Sequence, residues 1–192
     1  IIAGFDNDRD SLKTFEFNHK RSNAIHADLS EPLPDIKNLK GIDLIVGGPP
    51  CQGFSISGKR DPKDARNHLY KVYVETLQQL KPRMFILENV PNMISMDGGR
   101  LKDDVIKAID GLGYKISVQV ITASDHGVPQ KRRRVFFFGS RDGFFELRNS
   151  KESKMVNCKD AISELPDYSL DEGQNYPIAA SSNYQNLMRL NS

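Results

Sequence analysis

The stretch Gly47-Gly48-Pro49-Pro50-Cys51-Gln52-Gly53-Phe54-Ser55 restricts this chain's fold more than any other. Two glycines beside two prolines cannot continue a helix or an interior strand, because Gly opens φ > 0 while Pro fixes φ and lacks an N–H. The apolar run Leu44-Ile45-Val46 comes immediately before it, so the stretch reads as a stiff loop leaving a buried strand. The turn ends on a thiol. Cys51 is then either a positioned nucleophile or a small buried residue of the kind free Cys commonly is, and the loop by itself leaves both readings open.

Other short apolar runs stop in a similar way. Ile1 to Phe5 halts at Asp6-Asn7-Asp8, Ala24 to Ala27 at Asp28, and Met84 to Leu87 at Glu88-Asn89-Val90-Pro91. Between them lie helical patterns. Asp10-Ser11 can cap a short helix through Asn18 with Leu12 and Phe15 on one face, and Leu69, Val72, Tyr73, Leu77 and Leu80 fall at helical spacing before Pro82. Leu101, Val105, Ile106 and Ile109 mark another helix, closed by Gly111 and Gly113. Tyr114 to Ala123 and Val135 to Gly139 read as further strands. Strands alternating with helices predict an α/β fold with a doubly wound, mostly parallel sheet. Ligands of such sheets sit outside the carboxyl ends of the strands. Asp6, Asp28, Cys51 and Glu88 each stand at such an end. A single acid there is more often a turn former or a helix cap, but four such groups in register favour one shared cleft.

Composition sets the outer limits. At 192 residues the chain can bury one real core. A net charge of +2, from 27 Lys+Arg against 25 Asp+Glu, does not mark a nucleic-acid binder, so local clustering must. Two cysteines far apart make neither a disulfide framework nor a metal pair, and suit a reducing compartment. No metal site is expected, and no segment reads as a signal peptide or membrane span. The opening Ile1-Ile2-Ala3-Gly4-Phe5 reads as the middle of a fold, which predicts a fragment lacking its first strand and turn. Residues Ser57 to Asn67 are charged and read as a mobile surface loop. After Arg148 the sequence turns polar, with one short helix expected from Asp160 to Leu165 and no second core. His126 reads as a loop residue, Cys158 as a passive thiol, and Tyr168, Tyr176 and Tyr184 as small anchors.

Gln130-Lys131-Arg132-Arg133-Arg134 concentrates positive charge at the entry to the Val135 strand. Alternation along an extended segment predicts Gln130, Arg132 and Arg134 on one face and Lys131 and Arg133 on the other. A solvated basic edge accounts for the second face. The first suits phosphate and base oxygens, through planar guanidinium forks. Nearby positive charge also lowers a thiol's pKa from its ordinary value near ~8.5.

Together these motifs resemble the cytosine-C5 DNA methyltransferase family of the bacterial restriction-modification type. Pro50-Cys51-Gln52 matches its nucleophile motif, Glu88-Asn89-Val90 its acid motif, and Gln130-Lys131-Arg132-Arg133-Arg134 its Gln-x-Arg-x-Arg motif, in the family's order. Arg66 to Tyr70 is similar to the motif whose Leu, here Leu69, lines the adenine pocket. The resemblance spans Ile1 to Arg148 and implies a Rossmann-like fold of the class I S-adenosylmethionine-dependent type. It implies a catalytic domain over 1–148, truncated at its start, and the beginning of a target-recognition region over 149–192. Asp160 to Pro166 resembles the lead-in to that region.

The resemblance also implies the chemistry. Cys51 adds to carbon 6 of a flipped cytosine, Glu88 protonates or hydrogen-bonds N3, Arg134 holds the O2 side and Arg132 a flanking phosphate. Carbon 5 then takes the methyl group of S-adenosylmethionine, leaving S-adenosylhomocysteine, and loss of the C5 proton releases Cys51. Asp6 would meet the ribose hydroxyls and Asp28 the adenine amine, with Asn7, Leu29, Pro49 and Leu69 completing the cofactor contacts. Pro50, Gln52, Ser55, Asn89, Val90 and Gln130 would line the substrate side. The implied partner is double-stranded DNA, with a cognate restriction endonuclease acting separately, no membrane, a monomeric state and a bacterial cytoplasmic location. The cofactor's Gly-rich motif and the late motifs are absent, which predicts that the chain as given is catalytically incomplete. Methylation of tRNA cytosine and an inactive regulatory homologue are the competing readings, and the target sequence is not legible.

Overall fold

The structure is a computed structural model, and it describes residues 1–28, 31, 36, 38–49, 69–147, 155–163, 179–180 and 182–189. Strand β1 (Ala3–Asp6), helix α1 (Arg9–Asn18) and strand β2 (Asn23–His26) come first. They are followed by β3 (Leu44–Gly47), α2 (Leu69–Leu80), β4 (Met84–Asn89) and α3 (Arg100–Ile109). Strands β5 (Lys115–Thr122) and β6 (Arg133–Ser140) and the short helices α4 (Cys158–Ile162) and α5 (Asn183–Arg189) complete the order.

The elements pair as an α/β fold of the expected class. β1 pairs parallel with β2, and a four-stranded sheet runs β3-β4-β6-β5 with β3 and β4 parallel. β6 is antiparallel to β4. Between β5 and β6 the only helix is a 3-10 turn, Ala123–His126, too short for the crossover that a parallel return needs.

Three local expectations are revised. The cap of α1 is Asp8 rather than Asp10 or Ser11, because the backbone is still extended at Asp8 and already helical at Asp10. Its carboxylate accepts from the N–H groups of Asp10 and Ser11, both at 3.2 Å, and from the Ser11 hydroxyl at 2.6 Å. The run Leu44-Ile45-Val46 is not a buried strand. β3 is an outer strand among the described residues, and its Leu44 and Val46 are 47% and 64% exposed. The helix expected from Asp160 begins at Cys158, where Asn157 and Asp160 form a reciprocal capping box.

Contacts gather the chain into two units, Ile1–Gln119 with Val135–Glu146, and Val120–Arg134 with Leu147–Ser192. The first contains the hydrophobic core. α2 contributes Tyr73, Val74 and Leu77, α3 contributes Leu101, Val105 and Ile109, and they close over Phe85 and Leu87 of β4 and Val135 and Phe137 of β6. Along β4, Phe85, Leu87 and Asn89 are buried while Ile86 and Glu88 are only half-buried, the period of two expected of a strand. In the second unit, the Ser182 hydroxyl donates to the Asp160 carbonyl at 2.7 Å and so ties the approach to α5 onto α4.

Candidate active site

The parallel register of β3 and β4 aligns their carboxyl ends, with Gly47 opposite Leu87. The residues that leave β3, Gly48 and Pro49, therefore run beside Glu88 and Asn89. A Cβ on Gly48 would stand 3.1 Å from the Glu88 carboxylate Oε2, tighter than nine in ten real Cβ contacts, so the glycine leaves room for the carboxylate. Asn89 is 6% exposed and its amide nitrogen donates to the Pro49 carbonyl at 2.9 Å. Its carbonyl oxygen accepts from the Val90 N–H at 2.9 Å. Both ends of the Asn89 amide engage backbone, as burial obliges a polar side chain to find partners. Its hydrogen bonds make it a clamp on the loop.

Tyr73 supports the same turn. Its ring lies so close to Gly47 that a Cβ there would be 2.6 Å from Cε2. The single hydroxyl proton is shared in a three-centre bond, with the carbonyl of Ile86 at 3.0 Å and that of Ile45 at 3.3 Å. Burial pushes the Tyr73 hydroxyl pKa far up, so it stays a donor. Sequence reasoning placed Tyr73 in the core by helical spacing. The signal for its second role was the glycine pair, which marks close approach by a side chain as readily as a turn.

At the ends of β1 and β2, Asp6 stands opposite His26. Asp6 is exposed, and one of its oxygens accepts from the Asp8 N–H at 2.9 Å. This holds the carboxylate at the strand end, where it suits the hydroxyl pair of a ribose. Asn7 is exposed and its carbonyl lies 3.1 Å from His26 Nε2, while Asp28 is exposed two residues beyond β2. Pro49 is buried, Leu69 is buried as the first residue of α2, and Val90 is half-buried after β4. A nucleoside cofactor fits these residue types, with carboxylates for hydroxyls and amines and apolar side chains for the base.

The basic run belongs to the second unit. Gln130, Lys131 and Arg132 precede β6, whose first residue is Arg133, and Gln130 lies in a bend. Its N–H donates to the Val128 carbonyl at 2.7 Å. The predicted alternation therefore cannot be extended back to Gln130, since it holds only where the backbone is extended. Arg132 is exposed and its carbonyl accepts from the Ala123 N–H at 2.9 Å. Arg134 is half-buried, with Nη1 donating to the Arg133 carbonyl at 2.8 Å. His126 sits in the 3-10 turn before this run, and Cys158 is an exposed free thiol. Leu29, Pro50, Cys51, Gln52, Ser55 and the charged residues 57–67 lie outside the described residues.

A sequence model of the C-5 cytosine-specific DNA methylase family matches residues 1–191. The type II methyltransferase M.DdeI of Desulfomicrobium norvegicum is 36% identical across 100% of this chain and 50% of its own length. M.AgeI of Thalassovita gelatinovora, also a type II methyltransferase, is 34% identical over 97% of this chain and 52% of its own. The chain thus spans about half the length of these curated relatives. A crystal structure of an E. coli prophage-encoded protein, assigned as a DNA modification methyltransferase, superposes with a TM-score of 0.71 at 30% identity, covering 88% of this chain and 49% of that one. A Spodoptera frugiperda DNMT2 mutant shares the fold at a TM-score of 0.62 and 21% identity, over 89% of this chain and 53% of that one. By its sequence and by the fold that carries Glu88 and Asn89 to the loop after β3, the chain belongs to the C-5 cytosine-specific DNA methylase family.

Proposed function

We propose that the whole protein methylates carbon 5 of cytosine in double-stranded DNA, with Cys51 as nucleophile and Glu88 as acid. The observation that carries this reading is the juxtaposition of Gly48 and Pro49 with Glu88 and Asn89. Cys51 follows Pro49 by two residues in sequence, and Gly48 and Pro49 stand beside the Glu88 carboxylate and the Asn89 amide. In the reaction, the Cys51 thiolate forms a bond to carbon 6 of the cytosine. Glu88 donates to N3 and neutralises the charge that this addition places on the ring. Carbon 5 becomes electron-rich and takes a methyl group, the C5 proton is removed, and the carbon–sulfur bond breaks to free Cys51. S-adenosylmethionine supplies the electrophilic methyl, and Asp6, Asn7, Asp28, Leu29, Pro49 and Leu69 are the residues that would hold it. Gln130, Arg132 and Arg134 serve the base and its flanking phosphates, with Pro50, Gln52, Ser55 and Val90 beside the base.

The full-length protein should transfer a radiolabelled methyl group to duplex DNA and form a covalent adduct with duplex DNA containing 5-fluorocytosine. Cys51→Ser should abolish both, and Glu88→Gln should slow transfer by roughly a hundredfold or more. Undiminished transfer by Cys51→Ser would overturn the mechanism, and transfer to tRNA alone would overturn the DNA assignment. Bisulfite sequencing of DNA from expressing cells reports the target.

A further inference from the structure

We propose that Tyr73 is a positioning residue for this reaction, setting the placement of the Gly47–Pro49 turn, and so of the chain leading to Cys51, relative to Glu88. The inference rests on the methyltransferase reading above.

Packing alone would be served by phenylalanine. The hydroxyl of Tyr73 reaches one carbonyl in each of two neighbouring strands, Ile45 of β3 and Ile86 of β4. Both lie within two residues of the point where the strands deliver Gly47 and Glu88. This shared hydrogen bond ties α2, β3 and β4 together at the level of the site, and at 8% exposure Tyr73 has little access to water as a substitute partner. β3 has particular need of it. As an outer strand with Leu44 and Val46 exposed, it is held by β4 on one edge only among the described residues. The ring adds a floor under Gly47, where a side chain would overlap it at 2.6 Å from Cε2 and 2.8 Å from Cδ2. From β4, the Asn89 amide bonds the Pro49 carbonyl and the Glu88 carboxylate lies beside Gly48. Among the described residues, Tyr73 reaches this turn from α2, outside the sheet, whereas Glu88 and Asn89 belong to β4.

The test is Tyr73→Phe in the full-length protein, which keeps the ring and deletes only the hydroxyl. Expected is a loss in kcat of roughly ten- to a hundredfold with KM for DNA and cofactor within about twofold, since misplacement acts on the reacting geometry and not on remote binding. The second readout needs no turnover. Alkylation of Cys51, followed in its own peptide by mass spectrometry from about pH 6 to 9, should change in rate or midpoint in Tyr73→Phe. Gly47→Ala, which pushes on the ring from the other side, should reproduce both effects. Wild-type kcat together with a wild-type alkylation profile in Tyr73→Phe overturns the inference, as does a loss of activity that merely tracks the unfolded fraction seen by circular dichroism. If the wild-type protein transfers no methyl group, the proposed function fails, while the alkylation profile still decides the role of Tyr73.

Discussion

At the scale of single residues, the site turns on the space that glycines leave. Gly48→Ala should drive a methyl group against the Glu88 carboxylate and lower methyl transfer by roughly tenfold or more, with little change in melting temperature. Steady-state kinetics beside a thermal melt separates the two. Asn89→Ala leaves the buried Pro49 carbonyl without its amide donor and should cost about 1–3 kcal/mol in denaturant unfolding. Asp8 carries a pH prediction. Hydrogen bonds from Ser11 and Asp10 hold its carboxyl below the usual aspartate range. Its folded pKa is thus lower than its unfolded one, so its contribution is present in full above the unfolded value and is lost as pH falls through the folded value. The Asp10 and Ser11 amide resonances should shift together in that acid window, and Asp8→Ala should remove the transition. The strand-end positions of Glu88 and Asp6 were legible because each follows an apolar run. The role of Asn89 was not, because a hydrogen bond to a backbone carbonyl forty positions away leaves no mark on local sequence.

At the scale of elements, periodicity carried most of the information. Helix α2 spans Leu69–Leu80 as its apolar spacing predicts, and β4 extends two residues past the apolar run so that Glu88 and Asn89 belong to the strand. The direction of β6 was not legible, since pairing direction depends on what lies between strands in space. Its register places Gly139 opposite Phe85, whose ring occupies the volume that a Cβ on Gly139 would fill. Gly139→Ala should therefore destabilise by about 1–3 kcal/mol through overpacking, and Phe85→Ala by about 3–5 kcal/mol through a cavity. Their effects should be strongly non-additive in a double-mutant cycle measured by urea unfolding, because the smaller side chain vacates the space that the added methyl needs.

At the scale of the whole molecule, burial is uneven. Every member of the hydrophobic core cluster lies in the first unit, whereas in the second the described residues bury only the polar Gln185. Hydrogen exchange should be slowest in β4, in β6 from Val135 and in α2 and α3, and markedly faster in α4 and α5. Equal protection in α5 and β4 would contradict this. The sparse burial among the described residues of the second unit accords with the polar composition after Arg148, but the grouping of Val120–Arg134 with that region was not legible, because composition does not report which distant segments meet. The strand that carries Glu88 also imposes an order on synthesis. β4 has its parallel partner, β3, as soon as it is made, but its other edge is closed only by β6, which ends at Ser140. A ribosome adding about 5–20 residues each second keeps that edge open for several seconds, with Phe85 and Leu87 waiting for Val135 and Phe137. Until then the free edge of the strand that bears Glu88 stays open to chaperones and to mispairing.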